Sequence, residues 1–340
     1  MLKKRENMGK ISYAIVLGLI VLASSFFVFL AGKGAELITE KANDYYMPYY
    51  QSGAKGFSSP WYRNGLHIVD EGFINELAIL KEHENNIITI GSSLSVISLR
   101  TDCINLDKDY QYVMLACGNG SWRSDRVLDS LARNIKDYNK NDFIKFEVSF
   151  STFRDMEKSI TESTLDKWGE YSVNDNLQVQ KNTILKTPIY KLNLELLKIQ
   201  NVWELGQSYL EQISVKEPKG IGNFKNNYFN YESVANSCNM EEKMIQSVET
   251  EILELSKDAN LVVELSYIPE GLTETEFGKE FMSYIDEQLI PYLNANNIPY
   301  FDYRDDFAEA EYADGVHLSY EGSKKYTEQL NKDLNALINR

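Results

Sequence analysis

The most pronounced pattern of apolar and polar positions lies at the start of the chain. Ile11 to Leu30 gives 20 positions without a charge. As a helix, this run rises about 30 Å, the depth of a bilayer's hydrocarbon core. Lys3, Lys4, Arg5 and Lys10 precede it, and only Lys33 follows before Glu36. This cation excess predicts a cytoplasmic tail over 1–10, a single-pass transmembrane anchor over 11–32 and an extracytoplasmic remainder at the cell membrane. The run exceeds the apolar core of a secretory signal, lacks an A-x-A cleavage site and has no lipoprotein cysteine at its end, so an uncleaved anchor is expected. Residues 33–80 read as a stalk. The cluster Tyr45-Tyr46-Met47-Pro48-Tyr49-Tyr50 and the Gly- and Ser-rich stretch after it lack periodicity, and a helix is predicted only over Ala35 to Tyr45.

From residue 81 to 340 the pattern changes to short apolar runs alternating with amphipathic ones. Strands are predicted at Ile87–Ile90, Tyr112–Ala116, Phe143–Val148, Asn260–Tyr267 and Ile298–Tyr303. Helices are predicted at Asp125–Tyr138, Glu276–Asn294 and Tyr320–Asn339. Such alternation implies an α/β fold: a parallel sheet with helices on both faces and sites beyond the carboxyl ends of its strands. An insertion over about 155–257 separates the third and fourth strands by more than an ordinary crossover. It contains helical stretches at Lys191–Gln212 and Glu241–Ser256 around a polar loop, Gly220 to Tyr231. Leu192, Leu196 and Ile199 are spaced as a core-facing stripe. A cap over the site is one reading of the insertion. Trp122, Trp168, Trp203, Tyr228 and Tyr231 then become candidates for stacking on sugar rings, and Trp122, Trp168 and Tyr228 are taken as the substrate-binding set. Plain core packing is the alternative for all five.

Composition narrows the chemistry. With 35 basic and 50 acidic residues the formal net charge is −15, which argues against a nucleic-acid partner, because phosphate binding needs clustered Lys and Arg. The three cysteines, Cys103, Cys117 and Cys238, form no CxxC pair and no Cys/His cluster. Neither a structural zinc site nor a disulfide framework is expected, although one bridge remains open. No metal or cofactor is expected.

Two short motifs carry candidate chemistry. Gly91-Ser92-Ser93-Leu94-Ser95 follows the first strand directly. A serine in such a turn either exposes its hydroxyl for chemistry or caps the next helix. Asp314-Gly315-Val316-His317 enters the last helix, and an Asp three residues before a His can orient the imidazole and favour its protonated form. Only His67, His83 and His317 are present. Ser93, Asp314 and His317 together form a nucleophile, orienter and base. Glu147 leaves a strand nearby, either at the site or on a solvated edge.

These motifs resemble two blocks of the SGNH (GDSL-like) hydrolases. Gly91-Ser92-Ser93-Leu94-Ser95 is similar to the family's GDSxS block, with Ser92 in place of Asp. The run DGVHLSYEGSKKYTEQL, including Gly322, is similar to its C-terminal D-x-x-H block. The resemblance implies a flavodoxin-like, three-layer parallel sheet carrying a helical insertion and preceded by one transmembrane helix. It also implies an oxyanion hole from the backbone N–H groups of Ser93 and Gly120. The family's third block, G-x-N-D, is absent. Its Asn position falls on Ser151, whose hydroxyl is expected to take that role.

The Gly-Ser-Ser form, the missing block and the anchor together resemble a bacterial envelope subset. These proteins are paired with membrane-bound O-acyltransferases, as in teichoic-acid D-alanylation and exopolysaccharide acetylation. What this implies is serine-dependent acyl transfer onto a cell-surface polysaccharide or teichoic acid. The alternatives are a carbohydrate esterase and a non-catalytic scaffold that binds a glycan or partner.

Overall fold

The computed structural model describes residues 2–52, 71–100, 103–107, 109–118, 120–182, 191–200 and 230–340. The chain begins with one long helix, α1 (Leu2–Gln51). Its segment Ile15–Ala35 has a mean hydropathy of 2.6, long and apolar enough to cross a membrane. Ile15, Leu19, Leu22 and Phe27 project from it without protein contacts to cover them. The helix continues well past the predicted Ala35–Tyr45 stretch and accommodates Pro48 in its last turn. A proline there removes only one helical hydrogen bond near an end that frays anyway.

Next come α2 (Glu71–Glu82), β1 (Asn86–Gly91), α3 (Ser93–Ser98), β2 (Gln111–Ala116), α4 (Trp122–Ile135) and β3 (Phe143–Val148). The insertion follows, with α5 (Ile160–Trp168), a hairpin of β4 (Tyr171–Val173) and β5 (Val179–Lys181), a helix α6 over residues 191–200, α7 (Tyr231–Ala235) and α8 (Glu242–Asp258). The chain then forms β6 (Asn260–Leu265), α9 (Glu270–Thr273), α10 (Glu276–Tyr284), α11 (Ile290–Ala295), β7 (Tyr300–Asp302) and α12 (Tyr320–Ile338). The predicted helix Glu276–Asn294 is present, with a wide π-turn over Ile285–Leu289 ahead of Pro291.

Five strands pair in the order β2-β1-β3-β6-β7, all parallel. Counted among themselves this is the 2-1-3-4-5 order of doubly wound, flavodoxin-like sheets. Every residue of β1 is buried, as expected for a central strand covered on both faces. α4 and α8 pack together against the sheet, and α3 packs with α12. Right-handed crossovers put these two pairs on opposite faces. The order reverses between β1 and β3, so the loops after these two strands diverge to leave a crevice.

Polar residues enter this core in pairs. The Lys145 ammonium on β3 donates to Glu264 on β6 at 2.6 Å, and the Tyr326 hydroxyl of α12 donates to the same carboxylate at 2.7 Å. A buried ion pair of this kind survives because extra hydrogen bonds offset its desolvation.

One expectation about the insertion is corrected. On α6 the buried residues are Glu195 and Lys198, while Leu196 is 47% exposed and Leu192 and Ile199 are half-buried. Leu194 and Leu197 pack on the core instead. The Glu195 carboxylate lies against Gly32 of α1, where a Cβ would fall 1.9 Å from it. The i, i+4, i+7 stripe was therefore the wrong face, because α6 packs between the anchor helix and the domain. Residues 201–212 of the predicted helix and most of the Gly220–Tyr231 loop lie outside the described residues.

Candidate active site

The turn after β1 separates capping from exposure. Ser92 is the N-cap of α3: its hydroxyl accepts from the Leu94 N–H at 3.2 Å. Capping by Ser92 satisfies the helix start and leaves the Ser93 side chain free of that duty. Leu94 to Ser98 are all buried, while Ser93 remains partly exposed at the mouth of the crevice.

The Asp314–His317 turn is built almost entirely from its own atoms. Asp314 Oδ1 accepts from the backbone N–H of Val316 at 3.0 Å and of His317 at 2.8 Å. Gly315 adopts φ of 112°, a left-handed conformation that favours glycine. Oδ2 is then left facing His317 Nδ1, at 2.8 Å. A carboxylate only accepts, so Nδ1 carries the proton and Nε2 presents its lone pair. Nε2 lies 3.2 Å from Ser93 Oγ. The loop is clamped by the Ala313 N–H to His317 O bond at 2.8 Å and by the Ser319 N–H to Glu311 O bond at 2.7 Å. Gly322 sits against that same Glu311 carbonyl, where a Cβ would come to 2.5 Å. The Leu318 N–H reaches Ser98 Oγ at 3.4 Å, which ties the histidine loop to the serine helix.

The opposite wall comes from three strands. A Cβ on Gly120 would fall 2.3 Å from Ser92 Cβ and 3.4 Å from Ser151 Oγ, so the loop after β2 closes on the other two only because residue 120 has no side chain. Asn119 lies outside the described residues. Ser151 stands in a 3-10 turn after β3 (Phe150–Phe153) and is buried. Gly120 and Ser151 therefore flank the Ser92–Ser93 turn.

Beneath them lies Glu147, which is 1% exposed and not on a solvated edge. Its carboxylate accepts from the hydroxyls of Ser92, Ser95 and Ser149 and from the backbone N–H groups of Ser92 and Ser95. Gly91 is required here as well, since a Cβ would fall 2.7 Å from this carboxylate. Behind it, Asp125 of α4 is buried. Burial, with Glu147 and then Glu251 nearby, pushes its carboxyl well above the usual range and favours the neutral acid. Glu147 and Asp125 did not emerge as site residues from the motifs. The one signal for Glu147 was the acidic and basic residues inside FIKFEV, a strand that otherwise reads as buried, and Asp125 had none.

The aromatic candidates separate. Trp122 is partly buried at the start of α4, with the Arg123 guanidinium 5.5 Å above its ring. Trp168 is a correction: it is 4% exposed, edge-on to Tyr171 and inside the core, so no sugar can stack on it. Trp203 and Tyr228 lie outside the described residues. Tyr231 does approach the site. Its ring covers Gly271, and its hydroxyl is pushed up by burial, then by the carboxylates of Glu309 and Asp314.

No protein-family model matches the chain, and no curated protein matches it. Among solved structures it is similar to the crystal structure of a Bacteroides fragilis protein whose assignment as an acylhydrolase is provisional. The identity is 10% and the TM-score 0.36, over 79% of this chain and 99% of that one.

Proposed function

We propose that this protein is a serine-dependent acyl-transfer enzyme of the SGNH type that works outside the cytoplasm on a cell-surface polysaccharide or teichoic acid. The observation that carries the reading is the relay from Asp314 Oδ2 through His317 to Ser93 Oγ, with contacts of 2.8 and 3.2 Å. Ser93 Oγ attacks the acyl carbonyl as His317 Nε2 takes its proton, and Asp314 stabilises the imidazolium. The backbone N–H groups of Ser93 and Gly120 are the donors for the oxyanion. The leaving group takes the proton from Nε2, and acyl-Ser93 remains. A hydroxyl of the acceptor glycan, deprotonated by the same nitrogen, then attacks the ester and frees Ser93.

The second nucleophile decides between transfer and hydrolysis, and water arriving there would make the protein a carbohydrate esterase. The apolar span of α1 supports membrane attachment, and its N-terminal cations support an outward-facing domain. In this reading a membrane-bound O-acyltransferase supplies the acyl group.

The test uses the full chain in detergent with an activated acetyl ester, read by intact mass. One acetyl adduct in the wild type, absent in Ser93→Ala and His317→Ala, is expected. A longer adduct lifetime in water than in added glycan identifies a transferase. An equal adduct in Ser93→Ala would overturn the reading.

A further inference from the structure

Glu147 does more than fill the space under the serines, because its contacts dictate which way three hydroxyl protons point. One carboxylate oxygen, Oε2, takes the backbone N–H groups of Ser92 at 3.3 Å and Ser95 at 3.1 Å, together with the Ser95 hydroxyl. The other, Oε1, takes the Ser92 hydroxyl and the Ser149 hydroxyl, the latter at 3.0 Å. A carboxylate only accepts, and a serine hydroxyl has a single proton. The Ser149 proton is therefore committed to Glu147. Ser149 Oγ and Ser151 Oγ are 2.8 Å apart, so the proton in that contact must come from Ser151. Ser151 thus turns its hydrogen inward and leaves only lone pairs on the side of Gly120.

We infer that Glu147 is a positioning residue that holds both flanks of Ser93 and orients the Ser149–Ser151 chain so that Ser151 is an acceptor, leaving the oxyanion to the backbone N–H groups alone. This rests on Ser93 being the nucleophile, and it reverses the donor role expected for Ser151.

The arrangement also predicts the effect of replacing the Glu147 carboxylate by an amide. In Glu147→Gln the two backbone N–H groups at the Oε2 position require the amide oxygen there. The amide NH2 then faces Ser92 Oγ and Ser149 Oγ. Ser149 now accepts from the amide and donates its own hydrogen bond to Ser151 Oγ, and the Ser151 hydroxyl hydrogen turns out toward Gly120. The same Ser151 hydroxyl thereby changes from acceptor to donor.

The experiment is a double-mutant cycle over Glu147→Gln and Ser151→Ala. The readout is the rate at which the full chain in detergent is labelled at Ser93 by a fluorophosphonate, whose tetrahedral adduct places an oxygen in the oxyanion position. Ser151→Ala alone is expected to stay within about threefold of the wild type. In the Glu147→Gln background, the same substitution is expected to slow labelling by about tenfold or more, because it then removes an oxyanion donor. A simple packing role for Glu147 would not make the effect of Ser151→Ala depend on background. If Ser151→Ala alone slows wild-type labelling by about 10² or more, Ser151 is already a donor and the inference is overturned while the serine mechanism stands. If Glu147→Gln fails to fold, this single-variant comparison still decides the polarity. No labelling of Ser93 in the wild type overturns the serine mechanism and the inference together.

Discussion

The two walls of the crevice are made in opposite ways. The Asp314–His317 wall is local: one aspartate holds two following backbone N–H groups and the ring of a histidine three residues on. The facing wall brings Ser92, Gly120, Glu147 and Ser151 from three different strand ends to within contact distance. A local motif needs little from the rest of the fold to take its shape, whereas the facing wall exists only once the sheet order is set. Disturbing the first should therefore impair chemistry with little loss of stability. Disturbing the second should impair both.

The largest expected effect is on the reacting pair itself. Ser93→Ala should lower acyl turnover by about 10⁶, with a melting temperature close to wild type, because Ser93 is partly exposed and caps nothing. Turnover and a thermal melt on the same preparation check both halves. Asp314→Asn comes next. It presents an amide where Nδ1–H needs an acceptor, so the other tautomer is favoured and Nε2 no longer accepts from Ser93. A fall of about 10⁴ in turnover is expected. An undiminished rate would mean that the histidine is oriented from elsewhere.

Gly120→Ala addresses the facing wall. The new Cβ would overlap Ser92, so loops must shift at the oxyanion position. We expect about 10²–10³ in rate, about the cost of one lost oxyanion donor, together with a lower melting temperature. Loss of rate without loss of stability would show that this wall is as self-contained as the other.

The smallest effect is the contribution of one carboxyl to the pH dependence of stability. Glu251 of α8 meets Arg126 of α4 at 2.6 Å. Burial, with Asp129 nearby, still pushes its carboxyl from 4.5 up to about 7. A folded-state value above the unfolded one means that this acid stabilises the fold most below about pH 4.5. The contribution, about 3 kcal/mol at most, is lost as pH rises towards 7. Glu251→Gln should flatten the stability profile between those values, measured by denaturant unfolding at several pH values. An unchanged slope would assign the pH dependence to the other carboxyls that burial raises, among them Asp125, Asp129, Glu76 and Glu264.

Legibility follows the same division. Ser93, Asp314 and His317 stood out because each belongs to a short motif whose spacing already implies a turn. Glu147 did not, because a glutamate on a strand reads the same whether it meets water or three buried serines. Trp168 misled for a related reason: an aromatic in an insertion looks equally suited to a ligand and to a core, and packing against Tyr171 decided for the core. The direction of the Ser151 proton was beyond any motif, since it depends on a count of donors and acceptors across two strand ends.

The pattern of residues by itself determined the apolar span of α1, the alternation of strands and helices, and the local geometry of the Asp-Gly-Val-His turn. These depend on periodicity and on contacts within a few residues. Only the tertiary structure decided that Glu147 lies beneath the nucleophile turn, that Gly120 and Ser151 meet there, and that α6 packs on Gly32 with Glu195 inward. Such contacts join residues tens to more than a hundred positions apart, and they form only when the strand order places those residues side by side.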